Sequence, residues 1–418
     1  MRWVLDAIYA IAAIVLLPVW LPRMVATGKI RTDWAGRFGR VRLKDGRADR
    51  PTILIHAVSV GEVSATRTLV ELLERDPRRP RLVISTTTDT GFARASALFA
   101  KEHEVVRYPL DLSFAVGRFL RAVRPDLVAL MELEVWPTFT AACARRGIVV
   151  CVINGRLSER SARRYRRVRW FMMPAFRRLS FVAAQTGDYA ARFIAMGTPR
   201  ERAHITDTMK WDTARIEDEV AGAETLAAEM GIDRMRPLIV GGSTAKGEHE
   251  ILLRAVPEGT QLLCAPRKPE WFDDAAAVLE GCARRSTAAR GSERGFFLLD
   301  TIGELRKAYA LADLVVVGRT LLDFGGSDMM EPIGLGKATI IGPHVGNFQD
   351  TALLLRDGGG LVQCEVADLP ATIRSLLDDP DRRRELAERG REIIRSHQGA
   401  SARHAKLILE LLDRVRAQ

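Results

Sequence analysis

Short apolar runs alternate with helix-length segments along most of the chain, and this alternation constrains the fold more than any other feature. In the first half the apolar runs occupy 53–60, 82–86, 127–131, 148–153 and 181–185. In the second half they occupy 238–240, 261–265, 295–299, 314–317 and 338–341. Strands that alternate with helices form βαβ units with a parallel sheet. The sequence therefore predicts an α/β protein with two doubly wound, Rossmann-like domains.

A chain of 418 residues is long enough for two domains with separate cores. We assign residues 29–206 to an N-terminal domain and residues 237–418 to a C-terminal domain. Residues 207–236 form the linker. The helical segments from Asp368 to Arg416 are expected to close the C-terminal domain.

Residues 1–28 have the features of a membrane anchor. The segment from Ala7 to Pro22 contains no charged residue, and Trp3 and Trp20 lie near its ends. Tryptophan at both ends is typical of anchoring at the membrane interface. A cleaved signal peptide is the alternative, but Arg2 is the only basic residue before the run and no small-residue cleavage site follows. We expect a retained helix that spans the inner membrane or lies in its interface.

The distribution of charge indicates the partners of the protein. Residues 29–50 hold eight lysines and arginines against three aspartates, which predicts a cytoplasmic body behind the anchor. The net charge of +11 requires an anionic partner, either nucleic acid or a membrane surface. Residues 156–178 hold nine arginines interleaved with aromatic residues, which suits lipid headgroups or single-stranded nucleic acid. Because a nucleic-acid-binding protein needs no anchor, we predict the anionic inner-membrane surface as partner, no nucleic acid and no obligatory protein partner.

Polar residues follow several strands of the N-terminal domain, at the edge where parallel sheets bind ligands. Glu62 comes at a predicted helix start, so it is either a helix-dipole partner or a general base. Glu132 and Glu134 follow the fourth strand, and strand alternation places both on one side of an extended chain. Asn154 and Arg156 follow the fifth strand. Their convergence predicts a polar site at this edge.

Lys210, in the linker, has two interpretations. An isolated lysine is usually an exposed surface residue. Its position between the two predicted domains also allows it to reach a cleft between them.

Residues 313–332, with the sequence DLVVVGRTLLDFGGSDMMEP, resemble a phosphate-binding segment of the C-terminal domain. An apolar strand, a loop with two adjacent glycines and a helix start follow one another. Backbone N–H groups at a helix start bind anions, and glycine permits close approach of a ligand. An ordinary strand-to-helix turn shows the same pattern, so this segment alone leaves both interpretations open.

Ordered motifs across nearly the whole chain resemble those of the bacterial 3-deoxy-D-manno-octulosonic acid (Kdo) transferases of lipopolysaccharide biosynthesis. The motifs are HAVSVGE (56–62), ELEVWP (132–137), NGRLSERS (154–161), TDTMK (206–210), GSTAKGE (242–248), PRKPE (266–270), DTIGEL (300–305), the GG-x-x-x-x-E loop (325–331) and GPHVGNF (342–348). The resemblance implies a GT-B fold, in which two Rossmann-like domains face each other, with an N-terminal membrane-anchor helix. It also implies transfer of Kdo from CMP-Kdo to a lipid A precursor, lipid IVA.

The same resemblance assigns roles to individual residues. It makes Glu62 the proton acceptor, and Glu132 and Lys210 stabilisers of the transition state. We add Asn154 and Arg156 as candidate acceptor-binding residues. The residues that the resemblance assigns to CMP binding are Pro266, Arg267, Ile302, Gly303, Glu304, Asp328, Met329, Met330 and Glu331.

The expected chemistry follows from these groups. One carboxylate base without a covalent nucleophile predicts inversion at the anomeric carbon. No Asp-x-Asp pair follows a strand in the C-terminal half, and the five cysteines are scattered. We therefore expect no catalytic metal and no cofactor beyond the donor CMP-Kdo. The family usually has His-Asn where this chain has Ser327-Asp328, and the aspartate adds negative charge close to a phosphate.

Two alternatives remain open at this stage. One is another membrane-associated GT-B glycosyltransferase that uses a UDP-sugar. The other is a non-catalytic, membrane-tethered binding protein with the same fold.

Overall fold

The computed structural model describes residues 6, 7, 9, 11, 15, 17–26, 31–43 and 50–417. Their contacts divide the chain into two compact units. Unit 1 comprises the described residues up to Thr213 together with those from Gln398 onward, and unit 2 runs from Ala214 to His397. Each unit contains a parallel sheet covered by helices, as the alternation of apolar runs predicts.

The strands of unit 1 are β1 Thr52–His56, β2 Arg81–Thr86, β3 Glu104–Arg107, β4 Leu127–Met131, β5 Val149–Gly155, β6 Val182–Ala184 and β7 Ala203–Ile205. They form a parallel sheet in the order β3-β2-β1-β4-β5-β6-β7. Strands β1 and β4 are buried along their whole length because helices cover both faces. Leu54 packs in one apolar cluster, whereas Ile53 and Ile55 pack in the other. Strand β1 therefore contributes side chains to the cores on both faces of the sheet.

The α-helices of unit 1 are Leu17–Ala26, Trp34–Arg37, Val60–Ala65, Arg67–Glu74, Asp89–Phe99, Ser113–Val123, Pro137–Ala144, Glu159–Arg167, Arg169–Arg177, Gly187–Met196 and Ala400–Arg416. Short 3-10 helices lie at Arg200–Arg202 and Trp211–Thr213. The order of the strands reverses between β1 and β4. Their carboxyl ends therefore form a topological switch point, the usual place for a ligand in such sheets.

The last helix, Ala400–Arg416, packs on unit 1. Ile408 and Leu412 are fully buried in the cluster that contains Ile53 and Ile55. The sequence-based assignment placed this helix in the C-terminal domain. The structure differs because the apolar face of the helix is covered by the first sheet, a long-range contact that helical periodicity does not reveal.

A buried histidine joins this helix to β5. His404 Nε2 accepts the backbone N–H of Asn154 at 2.8 Å, and its Nδ1–H donates to the carbonyl of Ala400 at 2.7 Å. Burial lowers the pKa of His404 to about 4. The imidazole is therefore neutral near pH 7, and a second ring proton would set Nε2 against the N–H donor of Asn154.

The strands of unit 2 are β8 Leu238–Thr244, β9 Gln261–Pro266, β10 Ala283–Arg284, β11 Phe296–Leu298, β12 Leu314–Val317, β13 Ala338–Ile341 and β14 Val362–Gln363. They form a second parallel sheet in the order β10-β11-β9-β8-β12-β13-β14. Its switch point lies between β8 and β12. The glycine-rich loop of residues 318–329 leaves β12 beside it.

The α-helices of unit 2 are Ala223–Met230, Glu248–Ala255, Phe272–Val278, Leu305–Leu311, Met330–Gly334, Gln349–Asp357, Leu369–Leu377 and Pro380–His397. Its 3-10 helices are Pro269–Trp271, Arg285–Thr287, Gly346–Phe348 and Val366–Asp368. The helix predicted at Met329–Pro332 is confirmed, although it is only five residues long.

Three local features of the structure go beyond the sequence pattern. The helix predicted to start at Glu62 begins at Val60 and is interrupted at Thr66. Gly241 to Thr244 follow the apolar run 238–240 and extend β8, and Gly242 is required there because a Cβ would lie 2.1 Å from the hydroxyl of Tyr309. The arginine-rich segment forms two helices that meet at Val168.

The predicted anchor falls largely outside the described residues, which include only positions 6, 7, 9, 11, 15 and 17–26 of that segment. The helix Leu17–Ala26 contains Pro22 and exposes Val19 and Val25. In the part of the chain that the structure describes, no helix has both the length and the apolar character needed to cross a membrane.

We expect the thermal stability of unit 1 to decrease as the pH is lowered from 6.5 to about 4. Over this range the unfolded imidazole of His404, with its ordinary pKa of 6.5, gains a proton that the folded one does not accept until about pH 4. The unfolded state then binds more protons and is favoured. Above pH 6.5 this contribution to stability is complete and constant. Calorimetric melting across this range measures the effect.

The variant His404→Gln, which offers an acceptor that does not titrate, should lose this part of the pH dependence. His397→Gln, at the end of a helix of unit 2, is the matched control and should retain it. An unchanged pH profile in His404→Gln would contradict the assignment.

Candidate active site

Four charged residues meet at the switch point of unit 1. Glu62 follows β1, Glu132 follows β4, Arg156 follows β5, and Lys210 lies beyond β7. The charges of Glu62, Arg156 and Lys210 all act on the carboxyl group of Glu132. Four of the six residues predicted from the N-terminal strand ends and the linker are therefore brought together within one unit.

The carboxylate of Glu62 is fixed at the start of the helix Val60–Ala65. Its Oε2 accepts the backbone N–H of Val58 and its Oε1 accepts the hydroxyl of Ser59, both at 2.9 Å. The Ser59 hydroxyl in turn caps the helix by accepting the N–H of Glu62. The arrangement resembles a capping box, except that the carboxylate accepts the N–H of the residue before the N-cap. The side chain is nevertheless only partly buried, so both predicted interpretations, helix capping and general base, are compatible with its position.

Glu132 is mostly buried beside Glu62. Burial raises the pKa of its carboxyl group, and the negative charge of Glu62 raises it further. The positive charges of Arg156 and Lys210 act in the opposite direction. The cluster thus holds Glu62, Glu132 and two cations, and the nearby charge of Glu134 also raises the pKa of Glu132.

Glu134 has hydrogen-bond partners of its own. The prediction of an extended chain here is wrong, because Glu132 lies in a left-handed turn with a φ of 53°. The charge of Glu134 nevertheless acts on the carboxyl group of Glu132, so the two acids lie near each other. Glu134 accepts the indole N–H of Trp136 at 2.8 Å and lies 3.8 Å from Nε2 of His56. Burial opposes ionisation of Glu134, but the hydrogen bonds of His56 and Trp136 lower its pKa overall.

Asn154 is a structural centre of this edge and is 1% exposed. Its side-chain oxygen accepts the N–H of Met209 at 3.0 Å, and its carbonyl accepts the side-chain amide of Gln185 at 3.0 Å. Because the side chain of Asn154 is buried and its oxygen is already hydrogen-bonded to Met209, it is poorly placed for direct contact with a substrate. Asn154 instead holds the segment that carries Lys210, whereas Arg156 is exposed.

In unit 2 a buried glutamate organises the loop after β12. Glu248 is completely buried and its carboxylate accepts four backbone N–H groups, those of Ala245, Arg319, Leu321 and Leu322, at 2.7–3.3 Å. Glu248 lies in the GSTAKGE segment, but no role was predicted for it from the sequence. The one feature that could have indicated a role is its position at the start of a helix.

The residues predicted to bind the nucleotide in the glycine loop fall into two groups. Met329 and Met330 are buried in the core, so only their backbone atoms can reach a ligand. Asp328 and Glu331 are partly buried, and both charges act on Tyr309, whose pKa is raised well above its usual value first by burial and then by these carboxylates. Arg267 acts on the same tyrosine in the opposite direction, so these three charged residues converge near its hydroxyl.

The Ser327-Asp328 pair has a specific arrangement. Asp328 accepts the N–H of Met330 at 2.9 Å, which fixes the start of the short helix. Ser327 is buried, and its hydroxyl has no hydrogen-bond partner among the residues that the structure describes. Buried polar groups are nearly always satisfied, so this hydroxyl is available to a ligand of the loop.

The other predicted nucleotide residues lie at the ends of β9 and β11. Pro266 is buried at the end of β9, and Arg267, the next residue, is exposed. Ile302 is 76% exposed and Gly303 has a φ of 98°. Both belong to an open turn just before the helix Leu305–Leu311.

The Glu304 carboxylate is already paired. It binds Arg285 at 3.1 Å and Lys307 at 3.2 Å and accepts the hydroxyl of Thr301 at 2.7 Å. Arg285 is the main reason that the pKa of Glu304 falls to about 2. Glu304 can therefore contribute backbone atoms to a nucleotide site more readily than its side chain.

Among the described residues, one group of side chains is close enough to share a metal ion, namely Glu74, Glu102 and His103. None of the predicted site residues belongs to this group.

Comparison with known proteins identifies the family. Residues 32–213 match the family model of 3-deoxy-D-manno-octulosonic-acid transferase. The chain is 32% identical to the 3-deoxy-D-manno-octulosonic acid transferase of Haemophilus influenzae over 406 residues, which are 93% of this chain and 94% of the relative. It is 30% identical to the enzyme of the same name from Bordetella pertussis over 95% of this chain and 96% of that one.

Solved structures show the same fold at low identity. A glycosyltransferase from Rickettsia africae has a TM-score of 0.57 at 11% identity, over 88% of this chain and 99% of its own. A UDP-GlcNAc 2-epimerase from Neisseria meningitidis has a TM-score of 0.56 at 11% identity, over 87% of this chain and 100% of its own. The predicted GT-B class is confirmed. The chain therefore belongs to the 3-deoxy-D-manno-octulosonic acid transferase family and is a glycosyltransferase.

Proposed function

We propose that the protein transfers Kdo from CMP-Kdo to the lipid A precursor lipid IVA, with inversion at the anomeric carbon and without a metal ion. The observation that carries the proposal is the cluster of Glu62, Glu132, Arg156 and Lys210 at the switch point of unit 1. Membership of the family supports Kdo as the transferred sugar. CMP as the carrier, lipid IVA as the acceptor and the residue roles are our inference.

In this mechanism Glu62 is the general base. The acceptor hydroxyl gives its proton to the Glu62 carboxylate while its oxygen bonds to the anomeric carbon of Kdo. The bond from that carbon to the phosphate of CMP breaks, and CMP leaves with the bonding electrons. A single displacement of this kind inverts the anomeric configuration. The hydrogen bonds from Val58 and Ser59 hold the carboxylate in place, which supports a role that depends on orientation.

Glu132 and Lys210 are proposed to stabilise the transition state. The reaction develops positive charge on the sugar and negative charge on the departing phosphate. A carboxyl group and an ammonium group held in one cluster offer a partner for each sign. The two cations near Glu132 also limit the repulsion between Glu132 and Glu62.

The CMP group is proposed to bind unit 2 at the loop after β12. Arg267 would pair with the phosphate, and Glu331 would accept hydrogen bonds from the ribose hydroxyls, as acidic residues do in other nucleotide folds. Since Asp328 already occupies the N–H of Met330, we assign the free hydroxyl of Ser327 to the donor in its place. Ile302, Gly303 and Glu304 would contribute backbone contacts.

We further propose that the protein works at the cytoplasmic face of the inner membrane. The uncharged segment Ala7–Pro22 and the basic residues that follow it support this location. The exposed arginines of the helix Glu159–Arg167, which buries no residue, support contact with anionic lipids.

We expect Glu62→Gln to lower the transfer rate by roughly 100-fold or more, the usual contribution of a general base. Glutamine at this position of a capping box keeps an acceptor for the backbone N–H but cannot take a proton from the acceptor hydroxyl. The measurement is the rate of Kdo transfer together with the melting temperature, which should change little.

Glu71→Gln, on the exposed surface of the following helix, is the matched control and should leave the rate unchanged. Near-normal transfer by Glu62→Gln would mean that Glu62 serves the helix only and is not the base.

We also expect the protein to bind CMP more tightly than UDP in calorimetric titrations. Arg267→Ala should weaken CMP binding about 10-fold or more, because a charged hydrogen bond to the phosphate is lost. Arg254→Ala, which removes an exposed arginine from the last turn of the helix Glu248–Ala255, should have no effect. Tighter binding of UDP would favour the alternative, a GT-B transferase that uses a UDP-sugar.

A further inference from the structure

A pocket of about 500 Å³ on unit 1 is lined by arginines. Arg118 and Arg121 come from the helix Ser113–Val123, and Arg145 and Arg146 follow the helix Pro137–Ala144. None of the described residues that line the pocket is acidic. Its charge is therefore strongly positive, and none of the functions proposed above uses it.

The guanidinium groups converge without an acidic partner. Arg118 donates to the carbonyl of Phe38 at 3.3 Å and Arg146 to that of Ala142 at 3.0 Å. Among the described residues, no ion pair includes any of the four arginines. A Cβ at Gly117 would lie 3.7 Å from Arg146 Nη2 and 3.8 Å from Arg121 Nη1. Two guanidinium groups thus lie close to the same point. Because their positive charges repel each other, an anion bound between them would be stabilising.

The pocket lies where the N-terminal apolar segment meets the body of unit 1. The N–H of Ser113, a lining residue, donates to Asp6 at 2.8 Å. The hydroxyl of Tyr9 donates to Asp111 at 3.2 Å. Beyond this attachment the segment exposes apolar side chains, with Val15 67% exposed. An apolar segment exposed in this way is suited to the interior or interface of a membrane.

One wall of the pocket is itself apolar. Phe114 is 52% exposed and stacks on Phe38, which stacks on Trp34. At a membrane interface the aromatic side chains would contact the acyl chains of a lipid, and the arginines beside them would contact its charged headgroup.

We infer that this pocket binds the phosphate group of an anionic membrane phospholipid. Arginine pairs with phosphate through two parallel hydrogen bonds, and the two guanidinium groups that converge beside Gly117 offer donors for such a pair. The nearby apolar segment and the aromatic row favour a phosphate carried by a lipid over a soluble one. The bound lipid would fix the orientation of unit 1 at the membrane surface. The inference is independent of the transfer reaction.

The test places a carboxylate at the point where the guanidinium groups converge. Gly117→Asp pairs with Arg121 and Arg146 and occupies the anion position, whereas Gly117→Ala adds only a methyl group in ordinary contact with them. Full-length protein in detergent micelles that contain phosphatidylglycerol is analysed by native mass spectrometry. We expect one phosphatidylglycerol retained on Gly117→Ala, and retention at least about 10-fold lower on Gly117→Asp.

The double variant Arg121→Ser, Arg146→Ser gives the same readout if Gly117→Asp does not fold, and it should also lose the lipid. The variant Arg382→Ser, Arg395→Ser removes the same charge from the exposed side of the helix Pro380–His397 in unit 2 and should retain the lipid. Equal retention by Gly117→Asp or by the Arg121, Arg146 variant would overturn the proposal. Displacement of the lipid by an equal concentration of inorganic phosphate would also overturn it, since the pocket would then bind soluble phosphate.

Discussion

The edge of unit 1 that carries Glu62, Glu132 and Lys210 depends on the hydrogen bonds of a single buried asparagine. Asn154 adopts a left-handed conformation with a φ of 51°, so that its backbone and side chain point to different partners. Its N–H binds His404 of the last helix, its carbonyl binds Gln185 after β6, and its side chain binds Met209. Asparagine tolerates this conformation better than most residues. The segment that carries Lys210 is held through these bonds.

A buried polar group has the same organising function in unit 2. The Glu248 carboxylate accepts four backbone N–H groups from two loops that would otherwise have unsatisfied donors. Close packing of the backbone supports the arrangement, because a Cβ at Gly318 would lie 2.4 Å from Cα of Thr244. Each unit thus uses a completely or almost completely buried polar side chain to shape the loops at its switch point. The charged residues that face a ligand can then remain partly exposed.

Much of the fold could be predicted because buried parallel strands leave continuous apolar runs. The strands at residues 127–131, 314–317 and 338–341 were predicted to the residue. The convergence of Glu62 with Glu132 also followed from the rule for strand ends. The conformation of the segment that carries Glu134 could not be predicted in the same way. Strand alternation assumes an extended chain, whereas Glu132 lies in a left-handed turn.

The long-range contacts could not be predicted from local patterns. The bond between His404 and Asn154 joins residues that are 250 positions apart. Periodicity predicts the last helix but not the sheet that it covers. Likewise, the four arginines of the pocket on unit 1 are ordinary surface residues in the sequence, and only the packing of two helices brings them together.

We propose that this chain transfers Kdo from CMP-Kdo to a lipid A precursor. The most direct test is to incubate the purified full-length protein with CMP-Kdo and lipid IVA and to determine the mass of the lipid product. We expect a product heavier by one or more Kdo residues, formed together with CMP and without added metal. An unmodified lipid in the presence of intact, folded protein, or a product formed only from a UDP-sugar, would rule out this transfer.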